Sequence, residues 1–153
     1  MRKISCVLAI VAMLPPLLVG GITRAEDIRP AMERANAEFL AAFNTPKPAA
    51  FLPLYTKDAV LYFQGAAPVT GPEAIKQFWE SRIKLGIRDH TFDIIETGAD
   101  GKYAFQVSKA TVQLLRDNGE KILTVGHTVR IFEKQSDGTW KAKVHMFNRP
   151  GGP

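Results

Sequence analysis

The chain is predicted to fold as α+β, with helices first and an antiparallel sheet after them. Three observations predict this. Before Gly86 the apolar residues recur at helical spacing. From Arg88 onward the pattern changes to strand-length runs. Asp100-Gly101, Asn118-Gly119 and Asp137-Gly138 then fall between those runs, where hairpins turn. Helices gathered ahead of a run of strands argue for α+β over an alternating βαβ order. A length of 153 residues suits one domain.

The first 25 residues read as a secretory leader. Arg2 and Lys3 form a basic start, Ile4 to Ile22 is uncharged and mostly apolar, and Thr23-Arg24-Ala25 offers small residues before a cut at Glu26. Pro15-Pro16 and Gly20-Gly21 interrupt the run, which suits a cleaved leader better than a permanent span. Cys6 lies too far upstream of the cut for lipidation. The expected mature domain is 26–153, in the periplasm or secreted. Much of the +5 net charge belongs to the leader, through Arg2, Lys3 and Arg24. No Lys/Arg cluster remains to mark a nucleic-acid footprint. Cys6 is the chain's one cysteine, so the mature chain has no thiol for catalysis, zinc or an iron–sulfur cluster.

Asp27 can cap a helix from Ile28 to about Phe43, whose stripe is Ile28, Met32, Ala35, Phe39 and Ala42/Phe43. Pro30 sits in the first turn, where its missing N–H costs little. A short helix over 49–55 follows, kept irregular by Pro53, then a β-prone stretch at 60–63. Thr70 and Glu73 have capping-box spacing and should open a third helix to about Leu85, closed by Gly86. Four strands follow at about 88–97, 102–116, 121–134 and 139–149.

Turn geometry then sets a register. A two-residue loop at Asn118-Gly119 pairs Leu114 with Leu123, Val112 with Val125 and Ala110 with His127. The same loop at Asp137-Gly138 pairs Ile131 with Val144, Val129 with Met146 and His127 with Asn148. A three-residue loop at Ala99-Asp100-Gly101 pairs Ile94 with Gln106, Phe92 with Ser108 and His90 with Ala110. Phe92, Ile94, Val112, Leu114, Leu123, Val125, Val129, Ile131, Val144 and Met146 then share the core face, with Lys and Arg outside. Gln106, Ser108 and a row of His90, Ala110, His127 and Asn148 also face inward. An apolar face with converging polar groups is the pattern of a small-molecule pocket.

The segments Leu54–Val60, Gly71–Ile75 with Phe78-Trp79, and Asp137–Lys141 with Phe147-Asn148 carry a resemblance. The chain resembles the nuclear transport factor 2-like superfamily, in its SnoaL-like, cystatin-fold branch of small exported bacterial proteins, over about 28–148. The resemblance implies a cone, with a strongly curved antiparallel sheet (a four-strand meander plus a short strand) wrapped over three helices and a pocket in its mouth. It also implies homodimers. The superfamily's ketosteroid isomerases place a Tyr and two Asp where this chain has Phe39, Phe63 and His127. Its dehydratases place a histidine near His90, and a second histidine where this chain has Ala110. Their Tyr-Asp pair meets Phe43-Asn44 here. In this branch the last strand often carries an acid near His145.

The expected function is an exported domain binding a small apolar molecule, contacted by His90, Gln106, Asn148, Phe39, Tyr55, Tyr62, Trp79 and Phe92. One alternative is a cofactor-free lyase or isomerase, with His127 moving a proton and Asn148 and Gln106 orienting the substrate. Another is an interaction module on the outer sheet face, where Tyr103, Phe105 and Val107 hint at a patch. A second copy docking there is the expected partner, with no nucleic acid and, once the leader is removed, no membrane. No phosphate loop or Ser-nucleophile elbow is present, and no cofactor is expected. No metal is expected either, since His90 and His127 could bridge one only under strain. His145, opposite Arg130, is expected on the exposed face or at the dimer contact. Asp58 is expected to stabilise a turn.

Overall fold

The computed structural model describes residues 27–45 and 47–150. The expected leader, 1–25, lies outside the described residues. Helix α1 (Arg29–Asn44) starts where Asp27 Oδ1 accepts the Arg29 N–H at 3.1 Å. It buries Met32, Phe39, Ala42 and Phe43, together with a polar residue, Asn36. A 3₁₀ helix (Pro48–Leu54) follows and inserts Phe51, which is fully buried. Burying a side chain of this size is worth about 1.5–3 kcal/mol.

Helix α2 (Pro72–Lys84) departs from the expected cap. Its N-cap is Gly71 at φ +84°, with no side-chain capping bond, and Thr70 belongs instead to a short strand. Pro72 occupies the first turn, and Glu73 pairs with Lys76 at 3.1 Å. Gly86 closes the helix as expected, at φ +91°.

The strands are β1 (Tyr55–Phe63), β2 (Val69–Thr70), β3 (Ile87–Asp100), β4 (Tyr103–Leu115), β5 (Lys121–Lys134) and β6 (Trp140–Asn148). They form one open sheet in the order β2-β1-β6-β5-β4-β3. The expected meander is β3 to β6. The difference lies at the other edge, where β1 is nine residues long and runs parallel to β6. The sheet is therefore mixed. The helices lie on one side, and Phe39, Phe43, Phe51 and Trp79 interlock between them with ring centroids 5.3–6.2 Å apart.

The expected registers are corrected in an informative way. The β4–β5 turn is a three-residue loop, with Arg116 N–H donating to Glu120 O at 2.9 Å and Gly119 left-handed at φ +82°. Ala110 therefore pairs with Gly126 and not His127, and Val112 with Thr124. One residue of slip exchanges the two faces of β5. Gly126, Thr128, Arg130 and Phe132 point inward, while Leu123, Val125, His127, Val129 and Ile131 point outward.

The β5–β6 pairs are the expected ones, His127 with Asn148 and Val129 with Met146, but they lie on the outer face. The turn there is also a three-residue loop, closed by Gln135 N–H to Thr139 O at 2.8 Å. A bulge between Ile131 and Phe132 then restores the pairing.

In β3, Phe92 pairs with Ala110 and Ile94 with Ser108, two residues from expectation and so still facing inward. A bulge between Arg88 and Thr91, with Asp89 at φ +49°, turns both His90 and Ile87 to the concave side and keeps Arg88 out.

Candidate functional site

A cavity of about 520 Å³ opens between α2 and the concave face of the sheet. Trp79, His90, His145 and Phe147 are buried residues of its lining, while Leu85 and Arg149 are exposed at its rim. Phe63, Phe92 and Val112 supply apolar wall, and no Asp or Glu occurs among the described residues lining it.

The floor holds a hydrogen-bonded chain drawn from three elements. The Trp79 indole N–H donates to Tyr55 Oη at 3.0 Å. Tyr55 Oη lies 3.0 Å from His145 Nδ1. An indole nitrogen can only donate, so the phenol accepts from Trp79, and its bond with Nδ1 runs in the direction the imidazole tautomer sets. Burial pushes the Tyr55 phenol well above its usual range, so it stays protonated. Burial first, then the Arg130 charge, hold His145 well below the usual imidazole range. His145 is a neutral N–H donor at pH 7 and a weak base. Tyr55→Phe removes the hydrogen-bond partner of Trp79 Nε1 and of His145 Nδ1 together. Leaving two buried polar groups unpaired is expected to cost about 2–4 kcal/mol, read from urea unfolding.

His90 enters from β3 among aromatic rings, with Phe92, Phe43 and Phe39 centroids at 4.7, 5.3 and 5.4 Å. Its Nδ1 is buried without a partner among the described residues. Burial, then the Arg130 charge, lowers its pKa to about 3.

Behind this floor lies a second polar cluster. Arg130 is 2% exposed and donates through Nη2 to Asn36 Oδ1 and, at 3.2 Å, to Gln106 Oε1. Gln106 Nε2 donates to Asn36 Oδ1 at 3.1 Å and to Ser108 Oγ at 2.5 Å. The guanidinium lies 4.5 Å from the Phe92 ring centre and makes no ion pair among the described residues. Burial lowers the Arg130 pKa to about 10, which leaves it charged at neutral pH.

The expected site residues therefore divide. Trp79, His90 and Phe92 line the cavity; Tyr55 holds its floor. Phe39 is buried core between His90 and His145, and Gln106 is taken up with Asn36 and Arg130. His127 and Asn148 are corrections: both are exposed on the outer face, so the polar row and the His90–His127 approach do not form. Tyr62 is likewise turned outward, 41% exposed. Asp58 does not stabilise a turn: it lies in β1, accepts from Thr56 and pairs across the sheet with Lys143 of β6, exposed to solvent. Its carboxyl is held at about 2, chiefly by Lys143.

His145 and Arg130 were expected outside and are buried. The overlooked signal is Gly126. A glycine in mid-strand marks close backbone approach, and a Cβ there would meet Asn148 O at 2.3 Å and the Phe147 ring at 2.7 Å. That places residue 126 inward and His127 outward. Asn36 had no comparable signal.

A SnoaL-like domain model matches residues 37–142. Solved structures share the fold. One is a ketosteroid isomerase-like protein from Erwinia carotovora atroseptica, at TM-score 0.71 and 19% identity, covering 82% of this chain and 98% of that one. Another is a nuclear transport factor 2-like protein with a cystatin-like fold from Novosphingobium aromaticivorans, at TM-score 0.71 and 18% identity, covering 82% and 83%. A third is a nuclear transport factor 2-like superfamily protein from Salmonella enterica, at TM-score 0.68 and 14% identity, covering 81% and 92%. No curated protein matches the sequence. At these identities the solved structures speak to fold alone.

Proposed function

The chain belongs to the SnoaL-like domain family, and from that premise we propose that it binds a small, largely apolar molecule in the cavity between α2 and the sheet. The observation that carries this reading is a cavity of about 520 Å³ with aromatic and aliphatic walls over two buried imidazoles. Pockets of this size and lining suit small ligands. His145, kept neutral chiefly by its burial, offers a ring nitrogen as the orienting group. An imidazole with so depressed a pKa takes up a proton poorly, which favours binding over proton abstraction. Proton transfer by His127 is not a part of this reading, because that side chain stands on the opposite face of the sheet.

Saturable binding of a neutral hydrophobic dye, such as Nile red, is the expected result. It should be lost in Val112→Trp, which fills the cavity from its wall. Absence of saturable binding to wild-type protein would overturn the proposal.

We propose further that a second copy covers the outer face. Tyr103, Phe105, Val129, Ile131 and Met146 are 37–45% exposed there, a contiguous apolar surface that water covers badly. A second copy brings a matching apolar face to it. Val129→Asp is expected to shift sedimentation from dimer to monomer. A monomeric wild type would remove this part. Among the described residues no helix is long and apolar enough to cross a membrane. The proposed location is the periplasm or the medium, tested by sequencing the N-terminus of exported protein for a start at Glu26.

A further inference from the structure

We propose that the cavity's ligand is an apolar monoanion whose carboxylate is held by the Arg82 guanidinium at the cavity edge. This rests on the binding reading above and adds the chemical class of the ligand.

The argument begins with α2. Its lysines have acids one turn away: Lys76 pairs with Glu73 at 3.1 Å and Lys84 with Glu80 at 2.9 Å. Arg82 has Phe78 and Trp79 one turn before it and Leu85 and Gly86 after it. It makes no ion pair among the described residues. The guanidinium is not free to swing into water either. Its carbon lies 4.8 Å from the ring centres of both Phe63 and Phe78, and its Nε is buried without a partner. An unpaired buried donor costs roughly 1–3 kcal/mol. A carboxylate at the cavity edge would accept from the Nη groups, a charge-assisted pairing for which a guanidinium is shaped.

The rest of the lining agrees. Arg149 supplies a second cation at the rim, with its backbone N–H held by Gln64 Oε1 at 2.8 Å. No carboxylate lines the cavity among the described residues, so nothing there repels an anion. Trp79, Phe92 and Val112 offer an apolar bed for the remainder of the molecule. One charged end and a greasy body fit this distribution. A dianion would have to shed more water against the same aromatic walls.

The test uses matched pairs against the full protein: 3-phenylpropionate with 3-phenylpropanol, and dodecanoate with 1-dodecanol. Each competes with Nile red at pH 8 in low salt. The acid of each pair is expected to displace the dye at least about tenfold more effectively, with the preference shrinking as salt rises. Arg82→Gln should bring acid and alcohol to within about twofold while Nile red still binds. Leu85→Glu, which places an acid one turn from an untouched Arg82, should do the same. Equal displacement by wild type, or a preference that survives Arg82→Gln in a protein that melts normally, overturns the proposal while leaving the binding reading intact. Failure of Nile red and of all four competitors to bind overturns both.

Discussion

Acidification from pH 7.5 to 4.5 is expected to remove several kcal/mol of stability, well before most carboxylates take up protons. Two buried histidines cause this. His90 has its pKa lowered to about 3, and His145 lies well below the ordinary imidazole value, chiefly because burial penalises their charged forms. In the unfolded chain both titrate near 6.5. Between that value and the folded pKa the unfolded state therefore holds more protons than the folded one. Stability is complete above about pH 6.5 and falls as pH drops, by up to about 1.4 kcal/mol per pH unit for each histidine. For His90 the loss continues to about pH 3. The depressed carboxyls of Asp58, Glu133 and Asp137 act in the same direction but at lower pH, and Asp58 and Asp137 are exposed while Glu133 is half-buried. Urea unfolding at four pH values checks this. His90→Phe, placed among Phe39, Phe43 and Phe92, should roughly halve the slope. A wild type equally stable at pH 7.5 and 4.5 would mean that the imidazoles are not buried as described.

Gly126→Ala is expected to destabilise by about 2–3 kcal/mol, the range of overpacking in a closed core. The added carbon would stand 2.3 Å from the Asn148 carbonyl oxygen, so β5 and β6 would have to part at the point where His127 and Asn148 pair. The sign of the effect also tests the register. Were β5 slipped by one residue, position 126 would face solvent. Alanine there would then stabilise slightly, by restricting the unfolded chain and suiting a strand better than glycine. Equilibrium unfolding of the single variant distinguishes the two outcomes, and a stabilised variant would sink the assigned faces of β5.

The same one-residue question separates what could be read from the chain and what could not. Helix α1, the 3₁₀ segment, α2 and the meander follow from apolar spacing, Pro placement and Gly turns, all of which act within a few residues of one another. So does the inward face of β4, where Gln106, Ser108, Ala110 and Val112 are buried as expected. Strand β5 was ambiguous, because both of its faces carry apolar residues: Phe132 on one, Val125, Val129 and Ile131 on the other. When the buried face includes an arginine and the outer face three aliphatics, hydrophobic alternation points the wrong way.

By itself, the sequence determined an α+β domain with helices laid on a curved antiparallel meander. Local periodicity suffices for the domain class and the element order; the β5–β6 pairs match expectation because the bulge at Ile131/Phe132 offsets the extra loop residue. Only the tertiary structure decided that Gly119 closes a three-residue loop, that β5 presents Arg130 and not His127 to the interior, and that β1 joins β6 in parallel to bring Tyr55 against His145. The physical reason is that these outcomes depend on which partners a polar group finds once buried. Asn36 and Gln106 make Arg130 tolerable inside, and Trp79 and Tyr55 do the same for His145. Those partners lie 24 to 94 residues away along the chain, beyond the reach of any local pattern.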